Sequence, residues 1–212
     1  LFIGWEFLGI TSFLLISFYR DRYLPVKNAL KTISLYRLGD ICLILALWMS
    51  HHLWHQNITF LQLNNIQLVS THINEHSYYA IFIVLMIVTA AAIKSAQFPF
   101  SSWLPRAMEG PTSSTAIFYG SLSVHLGVFL LLRTYPYWET IGSIKVLIIV
   151  IGSLTVLVAT SIARVQSTVK TQIAYSSIAQ IGIMFIEVAM GCLLYTSDAA
   201  DERSSVDLGG RR

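Results

Sequence analysis

The chain of 212 residues is 55% hydrophobic and only 12% charged, with a mean hydropathy of +0.63. Its apolar residues come in long blocks, which excludes an ordinary soluble enzyme or nucleic-acid-binding domain and points to a membrane protein. The formal charge of +3 is a mild basic excess, which in such a chain reports orientation across the bilayer.

The sequence opens on Leu1 inside an apolar run, with no charged leader or cleavage site, and is expected to be an internal piece of a longer chain. Residues 1–19 are apolar apart from Glu6 and read as a membrane helix. Residues 20–31 carry Arg20, Arg22, Lys27 and Lys31 against Asp21 alone. The next span is expected over 35–54, entered through Arg37, Gly39 and Asp40. Arg37 and Asp40 stand three apart, so they share a helix face and are able to pair. Residues 51–77 form a polar connection rich in His and Asn, without Lys or Arg.

The run 78–93 then leads into Lys94, followed by Pro99, Pro105 and Pro111 with Arg106 and Glu109 between them. Proline removes a backbone donor and clashes with the preceding turn, so the helix is expected to break just beyond Lys94. Further spans are expected at 113–132, closed by Arg133 and Pro136, and at 144–163 and 172–190. The sum is an all-α polytopic bundle of about six segments, each near the roughly 20 residues a bilayer requires, one of them discontinuous. The basic connections 20–31, around Arg106 and 164–170 then fall on one side and the Lys- and Arg-free ones on the other. That side is expected to face the cytoplasm or an organelle's matrix, with a bacterial cytoplasmic membrane ahead of a mitochondrial inner membrane.

From Cys192 the pattern stops. Residues 192–212 read as the translation of a transposase sequencing adapter, with one stretch of codons giving 192–202 and a second giving 206–212. They are expected to be foreign to the fold, which leaves residues 1–191 as a partial membrane domain. The segment holds three arginines and four carboxylates, so its removal raises the formal charge from +3 to +4 and leaves Cys42 without a disulfide partner.

The ionisable residues inside the spans are the functional candidates, because charge at membrane depth is costly. Lys94 beside a helix break suggests an ion-handling site; a lysine whose stem snorkels to the interface fits the same spacing. Glu6, if deep, needs a cationic partner, and Lys94 is the evident one, giving a charge pair that small movements would switch. His125 reads either as a packed, hydrogen-bonded residue or as a proton relay, with Tyr119 on a nearby face. Lys145, Lys170 and Glu187 read as interfacial residues near span ends. His51, His52 and His55 lie in a polar loop without Cys or Asp, so no metal is assigned to them. No GxGxxG, P-loop, CxxC or HExxH occurs, and no nucleotide, redox cofactor or nucleic acid is expected to bind this chain.

Four stretches carry a resemblance: GWEFLGITSFLLISFY, RLGDICLILAL, KSAQFPFSSWLPRAMEGPT and IAYSSIAQIGIMF. In this order they resemble the antiporter-like membrane subunits of respiratory complex I, of the subunit L or subunit 5 type, within the NADH:quinone oxidoreductase/Mrp antiporter family. The resemblance implies a fragment of an inverted-repeat fold, most of a first repeat and the start of a second. It implies a proton-translocating subunit of an NADH:quinone oxidoreductase, with other membrane subunits as partners and no redox site of its own. A stand-alone cation/proton antiporter or a proton-driven inorganic-carbon uptake complex is the alternative it leaves. In the family pattern Glu6 and Lys94 match a gating ion pair, and Lys170 survives without its usual flanking charges. Tyr119 stands where a histidine is usual, and His125, six residues on, is a candidate replacement. These five residues form the expected proton-transfer set.

Overall fold

The computed structural model describes residues 1–54, 71, 73, 77–117 and 122–191. Among them the regular elements are helices: α1 (Phe2–Ile16), α2 (Tyr23–Trp54), α3 (Ser77–Lys94), α4 (Trp103–Ala107), α5 (Thr112–Ile117), α6 (His125–Trp138), α7 (Gly142–Val165) and α8 (Val169–Met190). The expected all-α membrane bundle is what forms. Four helices, α2, α3, α7 and α8, are long and apolar enough to cross a membrane, and α1 is a shorter apolar helix. Large apolar side chains such as Ile3, Phe7, Tyr78 and Leu157 stand exposed on the outer faces, as lipid-facing positions do. The segment 192–212 and His55 lie outside the described residues.

Two boundaries differ from the sequence reading. α2 begins at Tyr23, so residues 23–31 of the basic stretch expected as a connection form roughly its first two and a half turns, and only 20–22 precede it. Pro25 falls in the opening turn, where a missing N–H costs nothing. At 32 residues α2 is about 48 Å long against a hydrocarbon core of about 30 Å, which leaves Lys27 and Lys31 room in the headgroup region. The stretch 113–132 is shared between α5 and α6, with Ser123 and Val124 in a turn before α6. α6 continues through Pro136 to Trp138. The Thr134 hydroxyl and the Trp138 indole N–H both donate to main-chain carbonyls of Leu130 or Leu131 one to two turns back.

The basic ends converge. Asn28 Nδ2 in α2 donates to Glu109 Oε1 at 2.7 Å, and Lys170 Nζ at the start of α8 donates to the carbonyls of Met108 and Gly110. A Cβ at Gly110 would lie 3.0 Å from the Leu15 carbonyl of α1. The turn after α4 is thereby held to α1, α2 and α8 at once.

α7 and α8 cross at paired glycines. A Cβ on Gly152 would come 2.7 Å from the Gly182 carbonyl, and one on Gly182 3.0 Å from the Gly152 carbonyl. Without a hydrophobic drive between helices in lipid, such close backbone approach supplies the packing that joins them. Gly152→Leu in the full-length protein is expected to lower its thermal unfolding midpoint in detergent by several degrees, through overpacking of about 1–3 kcal/mol; an unchanged midpoint would rule out this crossing.

Candidate functional site

The site begins where α3 stops. Ala96 takes a left-handed backbone, φ 52°, the conformation a helix C-terminus usually assigns to glycine. Its N–H bonds the Ile93 carbonyl at 3.2 Å, and the Gln97 N–H reaches back to the Ala92 carbonyl at 2.8 Å. These two bonds form a Schellman cap that places Lys94 in the last helical turn, where the helix dipole favours a cation. The irregular backbone beyond is paired within the protein. The Trp103 indole N–H donates to the Ile93 carbonyl, the Ser95 hydroxyl to the Val124 carbonyl, and the Phe98 N–H to Thr155 Oγ1. Broken backbone survives in a bilayer on this condition.

Lys94 is 1% exposed. Its Nζ donates to the Trp5 carbonyl of α1 at 3.3 Å and lies 4.0 Å from the ring centroid of Tyr36 and 5.1 Å from that of Trp5. Opposite it is Gly9, whose Cβ, if present, would be 3.4 Å from the ammonium. Tyr36 and Gly39, which packs on Ile93, stand near the middle of α2. Lys94 is therefore an interior cation at mid-bundle, not a side chain reaching for the interface.

The carboxylates sit one layer away. Glu6 receives two bonds from Arg37 Nη1, at 2.8 and 3.0 Å, and Arg37 also approaches Asp40 Oδ2 at 3.6 Å. Asp40 in turn accepts the Trp5 indole N–H at 2.8 Å. The expected Glu6–Lys94 pair is thus not a direct contact; the two join through Trp5, Asp40 and Arg37. The reason is helical phase. Trp5, Gly9, Ser12 and Ile16 form the buried stripe of α1. Glu6 is one residue, about 100°, around from that stripe and meets the rim of α2. The Arg37–Asp40 pairing anticipated from the sequence is present.

Of the other expected residues, His125 opens α6, two residues after Ser123, whose hydroxyl lies 3.2 Å from that of Tyr36. Tyr119 lies outside the described residues. Lys170 is at the basic end, bonded to the turn after α4, and does not join the Lys94 cluster. His51 and His52 are exposed on the last turn of α2, with His52 stacked on Trp48. The sequence reading missed Trp5 and Tyr36 as neighbours of the lysine. Their signal is the inward phase each shares with small or polar residues, Gly9 and Ser12 for Trp5, Thr32 and Asp40 for Tyr36.

Residues 1–199 match the family described as NADH:quinone oxidoreductase/Mrp antiporter, transmembrane. The chain belongs to this family. It is 37% identical over 191 residues to the NADH-ubiquinone oxidoreductase chain 5 of Paracentrotus lividus, covering 90% of this chain and 28% of that one. The chain 5 of Candida albicans is 36% identical, with 90% and 33% covered. Among solved structures, the Mrp complex of Dietzia sp. superposes with a TM-score of 0.80 at 29% identity, over 90% of this chain and 20% of that one. A membrane-bound sulfane sulfur reductase, an archaeal respiratory membrane complex, shares the fold, with a TM-score of 0.77 at 22% identity and coverage of 89% and 38%. The chain spans about a third or less of the curated relatives it matches. Family and helices together make it a multi-pass membrane protein.

Trp5→Phe keeps an aromatic ring near Lys94 but leaves buried Asp40 without its indole donor. A destabilisation of about 1–3 kcal/mol is expected from thermal unfolding of the full-length protein, and no change would show that this bond does not hold Asp40.

Proposed function

We propose that this chain is part of a proton-translocating membrane subunit of an NADH:quinone oxidoreductase of the complex I type. In this reading residues 1–191 supply one proton-conducting unit, and residues 192–212 are foreign to it. The observation that carries it is Lys94, a fully buried lysine in the last turn of a helix that breaks inside the bundle. A protonatable amine so placed binds and releases a proton at a cost set by its neighbours, which are Trp5, Tyr36 and, one layer out, Asp40, Arg37 and Glu6. Rearrangement of the Glu6–Arg37–Asp40 cluster changes the field at the ammonium and so favours or opposes its protonation. His125 and Tyr119 are the proposed onward relay, and Lys170 an outer one at the basic end.

The chain itself has no redox role in this reading, so electron transfer happens in partner membrane subunits or beyond. The basic ends face the cytoplasm or matrix; a bacterial cytoplasmic membrane and an organelle's inner membrane both offer that geometry. The likeness to the Dietzia Mrp complex favours a second reading, a subunit of a cation/proton antiporter. The two differ in their drive: the first moves protons only while quinone is reduced, the second in answer to an imposed cation gradient.

In the full-length protein, reconstituted in its complex, Lys94→Ala is expected to cut proton flux at least tenfold with assembly unchanged. Glu6→Gln should impair flux less, because the carboxylate acts through Arg37. Full flux in the Lys94→Ala complex would leave a helical scaffold as the reading.

A further inference from the structure

Tyr36 is the residue that touches both the buried lysine and the start of α6. It lies in the buried stripe of α2 with Ala29, Thr32, Asp40, Leu43 and Ala46, so the helix itself aims it inward. Its ring face is 4.0 Å from Lys94 Nζ, nearer than the Trp5 ring at 5.1 Å. Its hydroxyl lies 3.2 Å from Ser123 Oγ and within bonding reach of Ser12, while Trp103 packs edge-on against the ring at 4.9 Å. Gly9 leaves the space: a Cβ there would sit 3.4 Å from the ammonium and 3.6 Å from the Tyr36 ring.

A carboxylate and an aromatic ring hold an ammonium differently. The carboxylate attracts the charge and also has lone pairs that compete for the proton. The ring face attracts the charge through its quadrupole and has no basic atom to take the proton. A ring face therefore holds the charged form of a lysine in place without competing for its proton.

We propose that Tyr36 is the positioning residue for Lys94: its ring face is the seat of the charged ammonium. The inference rests on Lys94 being the proton-transfer residue.

The test uses the full-length protein in its assembled complex, in proteoliposomes, with proton flux and the amount of intact complex both measured. Tyr36→Phe keeps the ring and loses the hydroxyl, and is expected to retain at least half the flux. Replacing Tyr36 by 3,4,5-trifluorophenylalanine keeps the shape and removes the negative ring face; flux is expected to fall about tenfold with assembly unchanged, the size of a lost desolvated cation–π contact. Equal flux from the two rings overturns the seat, as does a loss already complete in Tyr36→Phe, which assigns the role to the hydroxyl. A drop in assembly confined to the fluorinated ring overturns it too, by making the ring structural. Lys94→Ala separates the two ideas. If it abolishes flux while both rings pump alike, only the seat fails; if it pumps normally, the proton-transfer reading itself fails.

Discussion

A buried ammonium sets the terms for this bundle. A lysine at mid-depth in a membrane protein is tolerated only where protein groups replace water around it. Here those groups are a main-chain carbonyl from α1 and two aromatic faces, with the carboxylates Asp40 and Glu6 held back by Trp5 and Arg37. Each requires something of its own helix. α1 carries a glycine at 9 to make room, α2 turns Tyr36 and Asp40 to the same side, and α3 stops at the lysine.

The stop is as constrained as the charge. Alanine in the left-handed region at position 96 costs roughly 1 kcal/mol relative to glycine. The bonds from Trp103, Ser95 and Phe98 around it offset that cost and remove the unpaired backbone groups a lipid environment would penalise. The resulting turn leads to the segment after α4, which Asn28 and Lys170 hold at the basic end of the bundle.

Much of this was legible in the sequence because it is written in rare residues. Lys94 and Pro99 announce the charge and the break, and the Lys- and Arg-rich stretches announce which helix ends meet at one end of the bundle. The phase of Glu6 was harder to read: carboxylate and lysine both lie in apolar runs, and only the packed stripe of α1 shows that Trp5 faces inward and Glu6 the rim. Trp5 and Tyr36 were hidden for another reason. Aromatic residues are ordinary in membrane helices, and the phase each shares with small or polar residues marks an inward ring without showing that it lies under an ammonium. The early start of α2 was missed because positive charge reads as a connection, while Lys, Leu and Ala are also good helix formers.

Thr155 lies in the buried stripe of α7, with Ile144, Ile148, Gly152 and Ala159. Its hydroxyl donates to the Ile151 carbonyl and accepts the Phe98 N–H, a residue 57 positions earlier in the chain. One oxygen thus connects a regular helix to the most irregular stretch of the fold, with its proton spoken for on one side and a lone pair given on the other. Valine has nearly the same outline but cannot do this, so shape alone does not define the residue this position needs. Other hydroxyls in these helices, such as those of Thr89 and Thr134, only fold back on their own helix, whereas that of Thr155 also serves a distant backbone that has lost its own partner.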